Sequence, residues 1–450
     1  MDKKQIVLGI IALWVSIPVW GREITIEECY RKAQANYPLI KQYDLIEKSR
    51  EYSVSNANKG YLPQISFSAK ASYQSDVTKL PFDFSRLGIS GVEIPTLSKD
   101  QYGATVDITQ TIWDGGATRS RKDDIRMSAE VEKKNTEVAL YKINERVNQI
   151  FFGILLADAQ IRQNKLYQEE LERNYRQIES YIANGVGNQS DLDAVKINRL
   201  KAEQSRIQFV STRKAYVEML SRLVGEPIGE DVEFVKPAVL RAGGEVNRPE
   251  LQLYDSQIRH LQVKDKEIVS GLMPKFGLFF TGGYGKPGLN MLEDDFAAYY
   301  VVGVKLSWNM GNFYTRRNSK RQLRDNVRAV ELQRETFLFN LDLDMTQKNN
   351  EIEKYVKQLR YDDEIIALRN SVKEASVTKV ANGTLSGTDF MRDVNAEQLA
   401  VQDKIFHEIE LLLAMYDLTY IIHSGFISGY QNRYGDNLKP PTNVYHRMTA

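Results

Sequence analysis

Four histidines, His260, His407, His423 and His446, are the side chains best suited to ligate a metal or move a proton near neutral pH. Their spacing is too scattered for a ligand cluster, and they read as surface or interface residues. Cys29 is the only cysteine and cannot form an internal disulfide. Ile26-Glu27-Glu28 before it is not the small-residue box that precedes a lipidated cysteine, so it reads as a small apolar residue in a helix. Gly282-Gly283-Tyr284-Gly285 has the composition of a phosphate-cradling loop, but loop residues follow it where a helix would have to begin. It reads as the end of a strand. No nucleophile elbow or metalloprotease motif is present, so no catalytic residue, metal or cofactor is expected, and the chain does not read as an enzyme. Sixty basic against fifty-nine acidic residues leave a net charge of +1, and nothing points to a nucleic-acid partner.

With no chemistry to position, the elements themselves carry the information. Lys3 and Lys4, the apolar run Ile6 to Trp20 and the small residue at Gly21 predict a signal peptide over residues 1–21. No later stretch approaches 18 consecutive apolar residues, so no transmembrane helix is expected. An exported chain of this kind is either soluble in the periplasm or crosses a membrane as β-strands.

The chain repeats itself at an offset of about 200 residues. Tyr61-Leu62-Pro63-Gln64-Ile65-Ser66-Phe67 recurs as Leu272-Met273-Pro274-Lys275-Phe276-Gly277-Leu278, each proline ending a helical pattern before an alternating segment. Matching strand exits follow at Trp113-Asp114-Gly115-Gly116 and Trp308-Asn309-Met310-Gly311-Asn312. Two long runs with little punctuation then end at Ala183-Asn184-Gly185 and Ala381-Asn382-Gly383. Two further runs, Asn188–Val224 and Thr388–Ser424, are 37 residues each and stop at Gly225 and Gly425.

Four segments alternate with period two. Ile65, Phe67, Ala69, Ala71 and Tyr73 oppose Gln64, Ser66, Ser68, Lys70 and Ser72; Tyr102, Ala104, Val106 and Ile108 oppose Gln101, Thr105, Asp107 and Thr109. Phe276, Leu278 and Phe280 form a third apolar row, and Tyr300, Val302, Val304, Leu306 and Trp308 a fourth. A soluble sheet packed on helices would also alternate. Aromatic residues at the row ends, Tyr73, Tyr102, Tyr299, Tyr300 and Trp308, favour an interfacial girdle and hence membrane strands. Four strands cannot close a barrel, and an open edge in lipid leaves backbone groups unpaired. Several copies must therefore share one barrel, and three would supply twelve strands, enough to begin to leave a lumen.

Each long run, read as one helix, would be about 100 Å long. Ile143, Val147, Ile150, Ile154, Ala157 and Ile161 make a heptad seam, continued by Leu171, Tyr175, Ile178 and Ile182 and repeated by Ile409, Leu413, Tyr416 and Tyr420. A free coiled-coil rod would explain the seam but not the strands. Residue counts let each long helix pair with two shorter ones stacked end to end, which places residues 225–250 and 425–450 as a belt midway along a tube.

In this order and duplication the sequence resembles the TolC family of outer-membrane efflux and secretion channels over nearly the whole mature chain. Ile24-Thr25-Ile26-Glu27-Glu28 leading to Asn36-Tyr37-Pro38 looks like the family's opening helix. The resemblance implies a mixed fold in which a long antiparallel helical barrel continues four strands per chain of a shared twelve-stranded β-barrel. It divides the chain into a signal peptide (1–21), a first repeat (22–224), an equatorial linker (225–250), a second repeat (251–424) and an equatorial tail (425–450). Within the repeats it sets strand pairs at about 64–112 and 275–309, long helices at about 117–184 and 314–382, and return helices at 188–224 and 388–424. Pro63, Trp113, Gly115, Pro274, Trp308 and Gly311 become the strand entries and exits.

The implied partners are two further copies of the chain in a homotrimer, a periplasmic adaptor (membrane fusion) protein, an inner-membrane pump and outer-membrane lipid. Docking is expected at the turns built from Asn184, Gly185 and Gly187 and from Asn382, Gly383 and Gly387. The family closes its periplasmic tip with a ring of aspartates, and Asp389 falls on the first acidic position here. Arg392 occupies the second, and Asp393 is displaced by one residue. Three converging carboxylates would make a cation-favouring constriction. Alternatively, Asp389 caps the helix beginning after Gly387. The expected function is a passive exit duct of a tripartite efflux or type I secretion system, in the outer membrane of a Gram-negative bacterium with a large periplasmic portion. The competing reading is a periplasmic coiled-coil scaffold or adaptor without a pore.

Overall fold

The computed structural model describes residues 23–77, 96–185, 187–229, 231–239 and 245–422, so the expected signal peptide, the tail, His423 and His446 lie outside the described residues. In chain order the elements are β1 (Glu23–Ile24), α1 (Ile26–Asn36), a 3-10 turn at Pro38–Lys41, α2 (Gln42–Lys59), β2 (Gln64–Tyr73), β3 (Asp100–Trp113), α3 (Ala117–Tyr141), α4 (Ile143–Ala183) and α5 (Gln189–Val224). They continue with β4 (Glu233–Phe234), α6 (Pro249–Ser270), β5 (Lys275–Lys286), β6 (Ala297–Ser307), α7 (Asn312–Ala381) and α8 (Gly387–Ile422). The chain forms two compact units, one from the described parts of Met1–Ile40, Glu137–Pro249 and Phe337–Ala450, the other from Lys41–Thr136 and Glu250–Thr336.

The second unit holds one antiparallel sheet in the order β2-β3-β5-β6. Because strand side chains alternate, the register decides which residues share a face. Ile65, Phe67, Ala69 and Ala71 stand beside Ile108, Val106, Ala104 and Tyr102. Ile108 and Ala104 in turn pair with Phe280 and Tyr284, and Phe280, Leu278 and Phe276 with Val302, Val304 and Leu306. One face is thus apolar across all four strands, and it is uncovered: Phe67 is 73% and Val304 72% exposed.

The opposite face carries many hydroxyls and glycines, together with Lys70, Gln101, Asp107, Val301 and Lys305. Ser68, Thr105, Asp107 and Thr281 form a hydrogen-bonded row across three strands, with Thr281 Oγ1 donating to Asp107 Oδ1 at 2.6 Å. Two rings lie on this face over cross-strand glycines, Phe279 over Gly303 and Tyr299 over Gly283. Tyr299 therefore does not join the aromatic girdle expected of it: it neighbours Tyr300, and adjacent strand residues cannot share a face. β2 and β6 are the open edges.

The first unit is helical. Thr25 opens α1 by accepting a hydrogen bond from the Glu28 amide at 3.3 Å, with Glu27 and Glu28 placed favourably in the first turn. Ile26, Cys29, Tyr30 and Ala33 then bury the inner side of α1, and burial pushes the Cys29 thiol up to about 12, a structural and unreactive cysteine. α4 packs against α5, α8 and α1, so its buried surface is wider than a two-helix seam. Ile143, Val147, Ile150, Ile154 and Ala157 are buried as the heptads predict, and Phe151, Phe152 and Leu155 are buried beside them.

The run read from sequence as one helix over 117–184 is two helices, α3 and α4, separated by Lys142. The interruption is slight, since Lys142 stays in the right-handed region and its amide still donates to the Val138 carbonyl at 3.3 Å. Tyr141, just before it, is drawn into the interior: its hydroxyl donates to the Tyr420 carbonyl at 2.6 Å, and its ring stacks on that of Tyr420 at 4.7 Å. The Arg248 guanidinium sits against both rings, at 4.7 and 4.8 Å. By contrast α7 runs 70 residues without a break, about 105 Å at 1.5 Å per residue.

Candidate functional site

At one end of the helical unit the two interhelical turns are built in different ways. In the first, Asn184 closes α4 through its side-chain amide, which donates to the Ser180 carbonyl at 2.8 Å, while Gly185 takes a left-handed φ of 76°. Gly187 has no room for a side chain, because a Cβ would lie 2.7 Å from the Ile182 backbone nitrogen. Asn188 then caps α5 by accepting from the Ser190 amide. In the second turn Gly383 adopts φ 69°, and the amides of Gly383 and Thr384 donate to the carbonyls of Val380 and Lys379, both at 2.9 Å. This pair of bonds is a Schellman closure of α7, with Asn382 as its C-cap.

The structure brings these turns together. Asp191, in the first turn of α5, accepts from both the amide and the hydroxyl of Thr388 at 3.0 and 3.1 Å. Gly387 permits the approach, since a Cβ there would meet Asp191 at 2.6 Å. Beneath the turns lies an apolar core of Tyr167, Leu171, Ile178, Leu192, Val195, Ala202, Phe390, Met391 and Val394.

Asp389 caps α8. Ser386 Oγ bonds the Asp389 amide at 3.0 Å and the Asp389 carboxylate at 2.8 Å, which makes Ser386 the N-cap and Asp389 its partner three residues on. The carboxylate remains 45% exposed and faces Arg392 at 3.4 Å. Asp393 is held elsewhere, accepting from Ser376 Oγ of α7 at 2.6 Å. The Ser386-x-x-Asp389 pattern was readable in the sequence as a capping box, whereas Asp191, 197 residues from Thr388, carries no local signal.

The strand entries and exits lie in the other unit. Asp114 accepts from the amides of Gly116 and Thr118 at 3.0 and 2.6 Å and from the Tyr61 hydroxyl at 2.9 Å. Burial alone would raise its carboxyl, but these donors hold it below the usual carboxylate value. The Tyr61 bond ties the chain just before Pro63 and β2 to the exit of β3. Gly115 has φ 70° and would strike Met273 if it carried a Cβ, so the β3 exit packs on the residue before Pro274. Trp113 lies against Phe276, and Trp308 Nε1 donates to the Leu272 carbonyl at 3.0 Å. Gly311 belongs to the turn before α7, its amide bonded to Asn309 Oδ1.

A buried polar chain in the helical unit had no sequence signature. The Tyr30 hydroxyl donates to Asn148, Asn148 donates to Asp417 Oδ1 at 3.0 Å, and Lys348 stands 3.3 Å from Asp417. Burial is the largest influence on Asp417 and raises its carboxyl, outweighing Asn148 and Lys348, which lower it. The native state thus keeps this proton to higher pH than the unfolded chain. Its stabilising contribution is fully present below the unfolded value and is lost as pH rises through the folded one. Asp417→Asn, which cannot ionise, is expected to lessen the fall in thermal stability as pH rises above the ordinary carboxylate range. Identical pH slopes for the two proteins in thermal melts would contradict this.

Among the described residues no group of three or more histidine, cysteine or acidic side chains is arranged to hold a metal, and no helix is long and apolar enough to cross a membrane. His260 and His407 are each engaged by an aspartate, Asp124 and Asp362.

A four-stranded sheet with an uncovered apolar face, long helices and capped interhelical turns are the features that this fold shares with known structures. Residues 29–226 match the family model described as outer membrane efflux protein, and that segment is similar to the family in sequence. The outer-membrane channel OprN superposes with a TM-score of 0.66 at 12% identity, over 89% of this chain and 90% of that one. VceC, an outer membrane protein of Vibrio cholerae, gives 0.62 at 10%, over 88% and 95%; the MtrE outer membrane channel of Neisseria gonorrhoeae, in its open state, gives 0.61 at 12%, over 88% of each. No curated protein matches the chain by sequence.

Proposed function

We propose that three copies of this chain form a passive exit duct in the outer membrane of a Gram-negative bacterium, with the helical unit in the periplasm. The duct serves a tripartite efflux or type I secretion system, taking cargo from an inner-membrane pump through a periplasmic adaptor. The observation that carries this reading is the sheet: its apolar face is continuous and uncovered, and its edges β2 and β6 are open. Pairing β6 of one copy with β2 of the next satisfies both edges and closes twelve strands with the hydroxyl and glycine face inward. Outer-membrane fractionation tests it. A heat-modifiable trimer in that fraction supports the duct, and a water-soluble monomer supports the periplasmic scaffold instead.

The joined turns at Asn184, Gly185, Gly187, Asn382, Gly383 and Gly387 are the proposed adaptor-docking surface, because rigid caps present the same backbone to a partner in every copy. Asp389 is the proposed constriction: capping leaves its carboxylate exposed, and three copies would bring three such charges to the axis. Asp389→Asn keeps much of the cap geometry but removes the charge. It is expected to weaken cation preference in planar bilayers, and Asp389→Ala to raise conductance; unchanged selectivity and conductance in both would remove Asp389 from the pore. Asp393, bonded to Ser376, is the weaker candidate, acting by holding α8 against α7.

A further inference from the structure

The apolar face of the sheet does not stop where the strands do. Beyond β5 the chain turns through Pro287–Phe296 before β6, and Phe296 folds back onto the apolar face. Its ring stacks on Tyr102 at 6.3 Å and on Tyr284 at 5.7 Å. The connection is a defined turn: Asn290 Oδ1 accepts from the Leu292 amide, and the Asn290 carbonyl from the Glu293 amide. It holds out Leu289, Met291, Leu292 and Phe296, which are 61, 67, 58 and 52% exposed.

The charge at this border is neutralised locally. Lys286, on the apolar side of β5 by alternation, lies 3.3 Å from Asp294. The same carboxylate accepts from the amide and hydroxyl of Ser98, so one aspartate ties down the lysine and the far side of the β2–β3 connection together. Glu293 and Asp295 are the charged residues left exposed in the turn. Two such charges next to four large apolar side chains suit an interface, where the acids remain hydrated and the apolar groups enter the acyl layer.

We propose that the β5–β6 connection is a lipid-anchoring element, inserting Leu289, Met291, Leu292 and Phe296 into the outer-leaflet boundary as a continuation of the barrel's lipid-facing surface. The inference rests on the reading of the sheet as membrane-spanning, and the test separates the two. In a Cys29→Ala background, single cysteines replace Met291 in the turn, Val304 on the apolar strand face and Ile207 on α5. Each is labelled with an environment-sensitive fluorophore and the protein reconstituted in phosphatidylcholine vesicles. Lipids brominated near the headgroup are expected to cut Met291→Cys emission to less than half while aqueous iodide has little effect; Val304→Cys responds to deep bromines and Ile207→Cys to iodide.

Quenching at Val304 by lipid but at Met291 by iodide overturns the anchor and leaves the barrel standing. Protection of Met291 from both quenchers also overturns it, and identifies protein, either residues 78–95 or a neighbouring copy, as what covers the turn. Absence of lipid quenching at Val304 removes the membrane reading and the anchor with it.

Discussion

Val304→Arg is expected to remove the protein from the outer membrane. Val304 stands in mid-strand on the apolar face, paired with Leu278 and uncovered. Arginine on the lipid side of a barrel costs about 2–4 kcal/mol near the midplane. The proposed ring of three copies would carry that cost three times, roughly 6–12 kcal/mol, which is comparable to the entire stability of an ordinary domain. Ser66→Arg is the control: it lies in β2 on the opposite face, where an inward side chain can stay hydrated. The measurement is the heat-modifiable trimer band in outer-membrane fractions. Its loss for Val304→Arg and retention for Ser66→Arg is the expected result; trimers of both in normal amount would mean that the apolar face does not meet lipid.

Leu171→Ala is expected to loosen the tip without dissolving the protein. Leu171 is fully buried among Ile178, Val195, Met391 and Val394, beneath both interhelical turns. Removing its three outer carbons from such a site costs about 2–5 kcal/mol, because surrounding helices relax only in part. The tip is a local unit, so the loss is expected in local opening, not in global unfolding. Amides around 178–195 and 387–395 should exchange roughly 30- to several-thousand-fold faster, while the sheet keeps its protection. Unchanged exchange at the tip would show that the apolar cluster does not hold the turns together.

Much of the architecture was legible because it is written with short periods. A sheet with one apolar face prints itself as alternation, and Ile65 through Tyr73 could be assigned to faces without knowing any partner strand. Pro63 and Pro274 marked the strand entries because proline excludes the preceding residue from the helix. Tyr299 was misplaced because an aromatic pair at a strand end offers both faces a ring, and only the register with Gly283 decides between them. The interruption at Lys142 has no glycine or proline to announce it; it accompanies Tyr141, which is held by Arg248 and Tyr420 from distant parts of the chain. At the tip the caps were readable and the Asp191–Thr388 bond was not, since it joins residues 197 positions apart.

The free borders of β2 and β6 have a genetic consequence. In the trimer proposed above every copy lends one border and borrows another, so a subunit with intact borders and a spoiled interior still takes its place in the ring. With sound and spoiled copies made in equal number and mixing at random, about one ring in eight would be wholly sound. Lesions in the tunnel should therefore behave as dominant in a cell carrying both alleles, whereas lesions in the borders, which exclude their bearer from the ring, should be recessive.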